Sequence, residues 1–121
     1  MTTDTQEPAQ QSIGQIIQEA IALQRAGQLD AAEQRYRTAL VIEPNNADAL
    51  HNLGVLLCKQ RGQVALALPL FKSALQAYPN GGQYWLSYAE TLLDYGQPDE
   101  ARLVLDEVQR RGLSGDAVHA L

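Results

Sequence analysis

Residues 50–79 read LHNLGVLLCKQRGQVALALPLFKSALQAYP, and this stretch decides the fold. Leu50, Leu53, Gly54 and Leu57 are apolar or small at three- and four-residue steps. That spacing predicts an amphipathic helix. Gly62 then stops it, because glycine takes the left-handed conformation after a helix end at little cost. A second stripe, Ala67, Phe71, Ala74 and Leu75, predicts a second helix, and Pro79-Asn80-Gly81-Gly82 opens a turn. The stretch is a helical hairpin.

The hairpin recurs on both sides. Gly-Gln dipeptides stand at Gly27-Gln28, Gly62-Gln63 and Gly96-Gln97, with spacings of 35 and 34. Ala32, Ala67 and Ala101 come five residues after each glycine, and Tyr36, Phe71 and Leu105 four after those alanines. Ala39, Ala74 and Val108 come three later, and Pro44 and Pro79 are 35 apart. Upstream, Ile13, Ile16, Ile17, Ala20, Ile21 and Leu23 predict a first helix, and Asp30, with Glu33 as capping-box partner, is expected to open the next. Downstream, Trp85, Tyr88, Ala89 and Leu92 repeat the pattern. No segment alternates with period two, so no sheet is expected. One hairpin cannot cover its own apolar face, so neighbours must stack into a solenoid.

Composition narrows the function classes. The chain has 121 residues and a net charge of -5, which argues against a nucleic-acid binder. No apolar run approaches the ~20 residues of a membrane span, and the polar, acidic start is no signal peptide. One cysteine, Cys58, and two histidines, His51 and His119, exclude a disulfide framework and make a metal centre unexpected. No nucleophile–base pair or phosphate loop is visible, so no enzymatic activity and no cofactor are expected. The lone cysteine fits a soluble chain of a reducing, cytoplasmic compartment.

The motif Leu50-x2-Leu53-Gly54-x2-Leu57, Ala67-x3-Phe71, Pro79 resembles the tetratricopeptide repeat. Trp85-x2-Tyr88-Ala89-x2-Leu92 with Ala101-x3-Leu105 is a further copy, and Ile16-x2-Glu19-Ala20-x2-Leu23 with Ala32-x3-Tyr36 and Pro44 is another. The resemblance covers residues 13–121 and implies an all-α, right-handed superhelical solenoid of helix-turn-helix repeats, three hairpins plus a short C-terminal helix. The expected division is a disordered tail at 1–12, repeats at 13–46, 47–81 and 82–114, and the start of a capping or further helix at 115–121.

Departures from the pattern carry information. Glu19 replaces an apolar residue in a helix with no preceding repeat to pack on. The second unit has one extra residue between Gly54 and Gly62. Pro69 sits inside a helix, where a kink or a tight first turn is expected to absorb it. Asp116-Ala117-Val118-His119 echoes Asp48-Ala49-Leu50-His51. Residues 115–121 therefore read as the start of another repeat in a longer protein, or as a native cap.

The family implies a concave groove lined by the first helix of each repeat. Transferred by position, its residues are Ile17, Gln18, Ile21, Gln24 and Arg25; His51, Asn52, Val55, Cys58 and Lys59; and Leu86, Ser87, Glu90, Leu93 and Asp94. Asn52 is the expected backbone-binding amide, since an amide both donates and accepts. Gln83 and Ser87 stand where a carboxylate-clamping subtype has cations, so that role is not expected. Five of the seven aromatics fall in 78–95. Trp85 and Tyr88 read as packing between repeats, while Tyr84 and Tyr95 are open. Cys58, beside Lys59 and Arg61, reads as inert packing rather than a reactive thiol.

The third repeat carries six acids against three bases, and the second three bases against Asp48. The expected function is a non-catalytic module binding a protein or peptide segment in the groove, without nucleic acid or membrane. The alternatives are a recognition appendage of a larger enzyme, such as an O-linked N-acetylglucosamine-transferase-like glycosyltransferase, and a solenoid that self-associates through its Val118/Leu121 end.

Overall fold

A computed structural model describes residues 11–113. Residues 1–10 of the expected tail and the 115–121 remnant, with its proposed docking end, lie outside the described residues. The elements are α1 (Ile13–Arg25), α2 (Leu29–Ile42), α3 (Ala47–Val55) running into a π-helical turn (Leu56–Gln60), α4 (Val64–Ala77), α5 (Gly82–Asp94) and α6 (Pro98–Arg110). They pack as three hairpins, α1/α2, α3/α4 and α5/α6, each against the next, an all-α solenoid. Among the described residues all regular structure is helical, and no helix is long and apolar enough to cross a membrane.

Local chemistry sets the helix ends. Ser12 opens α1 with a capping box: its hydroxyl accepts from the Gln15 amide, and the Gln15 side chain accepts from the Ser12 amide. Residue 12 is thus a helix cap, a correction to the boundary of the tail. Asp30 does not cap α2, which begins at Leu29 behind Gln28 and has no side-chain cap. It lies in the first turn, where its charge suits the helix dipole, and pairs with Arg61. Asn46 caps α3 by accepting from the Ala49 amide at 2.9 Å. Pro69 interrupts nothing: α4 runs unbroken through it. Pro69 and Ala65, whose carbonyl loses its amide partner, are both exposed, so water can serve that carbonyl.

The turn glycines show how the extra residue is absorbed. Gly27, Gly62 and Gly96 all have positive φ, at 81°, 68° and 80°. In the first and third hairpins the amide after the glycine reaches back five residues, Gln28 to Leu23 and Gln97 to Leu92, both at 2.9 Å. These are Schellman closures. In the second, Gln63 reaches back six, to Leu57, at 2.8 Å. Leu57 therefore takes the place of Leu23 and Leu92. The added residue is held in the π turn, and the helix keeps its face on both sides of it.

The core obeys the small–large alternation. One cluster runs from Ile16 and Ala20 through Tyr36, Leu53 and Leu56 to Phe71; a second gathers Leu75, Trp85 and Val108; Tyr88 packs on both. Gly54 lies under Phe71, where a Cβ would come within 2.8 Å of the ring. Leu105 is only half-buried. Glu19 is exposed and pairs with Arg35 at 3.3 Å.

Candidate functional site

Between α1 and α3 lies a hollow of about 350 Å³, lined by Ile21, Gln24, Arg25, Tyr36, Asn52, Val55 and Gln60. Five of these carry the expected groove positions, and Tyr36 and Gln60 join them. Tyr36 is fully buried from the side of α2, and its hydroxyl donates to Gln24 Oε1 at 2.7 Å. Gln24 Nε2 in turn donates to Gln60 Oε1 at 2.7 Å. One amide is thus oriented by a phenol and orients a second, tying the first hairpin to the end of the helix that opens the second. Burial, partly offset by Arg25, raises the Tyr36 pKa to about 12, so the phenol stays a donor across the physiological range.

Gln60 enters because of the π turn. Counted from Gly54, the groove positions of this helix fall on Cys58 and Lys59; counted back from Gly62, the partner of Arg25 is Gln60. Cys58 is half-buried and packs on the first core cluster. Burial pushes its pKa up, with smaller opposing effects from Thr91 and Lys59, so the thiol is not activated. Lys59 is exposed outside the hollow. A count from the next glycine, and the hydroxyl on Tyr36 where the repeat motif has Phe, were the available signals for the two added residues.

The other expected groove residues are dispersed. Ile17, Leu86 and Ser87 are buried, a correction to their assignment to an open face. They pack because α1 and α5 bury more than one stripe. Gln18 is exposed and lines a separate hollow with Gln15 and Glu19. Glu90 is half-buried, and Leu93 and Asp94 are exposed.

His51 sits in the seam between the second and third hairpins. Its Nε2 lies 2.7 Å from Ser87 Oγ, and its ring is tilted on Phe71 (5.5 Å) and Tyr84 (5.1 Å). The Tyr84 hydroxyl donates to Asp48, and its ring meets Tyr78 edge-on at 6.2 Å. Tyr84 therefore packs the junction too. Trp85 donates from Nε1 to the Pro79 carbonyl at 2.8 Å and lies 5.0 Å from the Arg111 guanidinium. Tyr95 is exposed.

Burial lowers the His51 pKa below 6.5, against smaller upward pulls from Asn52 and Asp48. Below pH ~6.5 the unfolded chain binds a proton at this site that the folded chain resists. This contribution is complete above that pH and is lost as pH falls through the folded value. In urea titrations at pH 7.5 and 5.5, wild type is expected to lose more stability on acidification than His51→Gln. Equal losses would exclude His51 as the source.

A family model described as "Tetratricopeptide repeat" matches residues 59–121, and one described as "TPR repeat" matches residues 22–60. The chain is similar to the cellulose synthase 2 operon protein C of Komagataeibacter xylinus, 37% identical over 90 residues, covering 72% of this chain and 7% of that protein. It spans less than a tenth of the curated relatives it matches. Among solved structures, a Thermobaculum terrenum O-GlcNAc transferase mutant aligns with a TM-score of 0.71 and 30% identity, over 78% of this chain and 18% of that one. The Yersinia enterocolitica type III secretion translocator chaperone SycD aligns with a TM-score of 0.72 at 20% identity, over 81% of this chain and 67% of that one, a likeness of fold.

Proposed function

The chain belongs to the tetratricopeptide-repeat family, and from that premise we propose that it is a non-catalytic interaction module that holds an extended segment of a partner protein in the hollow between α1 and α3. The repeats themselves mark a protein–protein interaction module. The observation that carries the groove reading is the composition of the hollow: Ile21 and Val55 offer apolar surface, and Asn52 and the Gln24–Gln60 pair offer amides. Amides pair with a peptide backbone without reading its side chains, and apolar surface adds affinity by burial. Asn52→Ala is expected to weaken a captured partner segment about tenfold, the cost of roughly 1–2 kcal/mol for a lost hydrogen bond. The circular-dichroism spectrum should stay unchanged. Undiminished affinity would remove Asn52 from the site.

A second reading rests on the lengths of the relatives, of which this chain matches under a tenth. In it the repeats are the recognition segment of a larger protein, in the way that the O-GlcNAc transferase likeness suggests. Removing residues 13–113 from such a protein would abolish partner capture and leave any remote chemistry intact.

A further inference from the structure

We propose that the groove is electrically polarised, and that it selects partner segments carrying an acidic residue over Arg25 and a basic residue over Asp94, about six residues apart at the extended-chain rise of ~3.3 Å per residue. This rests on the groove reading above and names the class of segment that the groove takes.

The residue two before each turn glycine occupies one register in all three hairpins. It is Arg25 before Gly27, Gln60 before Gly62 and Asp94 before Gly96: a cation, an amide and an anion. The π turn makes this row, because without it the middle position would be counted onto Lys59. Arg25 and Gln60 line the same hollow, and no acidic side chain lines it with them. Among the described residues Arg25 is in no ion pair, as are Arg102, Lys59 and Lys72, and of these four Arg25 alone lines the hollow. Its charge reaches into the hollow, where it acts on the Tyr36 hydroxyl.

At the other end Asp94 is exposed, in no ion pair among the described residues, with Glu90 one turn earlier and the half-exposed Leu93 beside it. The two ends thus offer charge of opposite sign next to apolar surface. Such an arrangement discriminates by repelling the wrong partner as much as by attracting the right one. First helices of adjacent hairpins are joined by side-chain bonds, Gln24 to Gln60 and His51 to Ser87. At a helix spacing of about 10 Å per step, Arg25 and Asp94 stand roughly 20 Å apart, which sets the six-residue interval.

The probes are four pools of capped, coumarin-labelled dodecapeptides, random except at two positions six apart. These are fixed as Glu/Lys, Lys/Glu, Glu/Glu or Lys/Lys, and binding to the intact chain is read by fluorescence anisotropy. At least one mixed pool is expected to bind several-fold tighter than both like-charged pools, with the advantage shrinking in high salt. Arg25→Glu should move the preference to Lys/Lys, and Asp94→Arg should move it to Glu/Glu. A preference order that neither variant changes overturns the proposal. Equal binding by all pools that Asn52→Ala abolishes also overturns it, while leaving the groove in place. Binding by no pool, with the helical spectrum intact, overturns both.

Discussion

Phe71→Ala is expected to lower unfolding stability by about 3–5 kcal/mol, the range for emptying a buried aromatic site. Phe71 is 1% exposed, closes over Gly54 and supports the His51 ring at 5.5 Å. The cavity cannot refill cheaply, since Gly54 has no side chain to move into it. A domain of this size has a total of only about 5–15 kcal/mol. In a solenoid, moreover, each hairpin is stable largely through its neighbours. The loss should therefore reach all three hairpins as one cooperative transition at much lower urea. A decrease under about 1 kcal/mol would show that the ring is not the packing centre of the second hairpin.

Two single-residue deletions should differ sharply. Deleting Cys58 is expected to keep the helical spectrum and a cooperative melt, within about 1 kcal/mol of the intact chain, because a π turn is one residue more than an α-helix needs. The deletion makes the Gly54–Gly62 interval equal to Ala20–Gly27 and Ala89–Gly96. The helix can then close in α register, regaining backbone bonds while losing the packing of Cys58 on the core. Deleting Leu23 is expected to cost about 3 kcal/mol, the loss of a partly buried leucine side chain added to that of the hydrogen bonds its removal breaks. Helix α1 has no spare residue, and each residue removed rotates the remainder of the helix by about 100°. Leu23 packs on the core and its carbonyl accepts the Gln28 closure. Its loss also swings Gln24 away, leaving the buried Tyr36 hydroxyl without its acceptor. Thermal melts monitored by circular dichroism separate the two. Equal destabilisation would mean that the extra residue is structurally required.

The hairpin was legible because its signals are local and repeat. A glycine at each turn, an alanine five residues on and an aromatic or leucine four beyond define which stripe each helix buries. Trp85 was legible as packing for the same reason. Helix starts were less so: Asp30 and Glu33 have the spacing of a capping box, yet α2 already begins at Leu29, which puts Asp30 inside its first turn, where it pairs with Arg61. The groove was legible only in part. Ile21, Gln24, Arg25, Asn52 and Val55 fall together because they lie in uninterrupted α register with the motif. Cys58 and Lys59 were displaced because a position count assumes about 3.6 residues per turn, and the π turn breaks that assumption locally.

The sequence by itself determined the period, the all-helical class and the buried stripe of each helix, since these depend on side-chain spacing along one chain. It also held the one-residue surplus between Gly54 and Gly62. Only the tertiary structure decided where that surplus went. The surplus could have become a longer turn or a rotated helix end. Packing chose otherwise, because Leu57 had to take the place held by Leu23 and Leu92 while Gly62 still closed the turn. Burial fixed one end at Leu57 and the left-handed turn glycine fixed the other at Gly62, so the added residue was taken up as a π turn between them. That turn carries Gln60 to Gln24 and into the hollow.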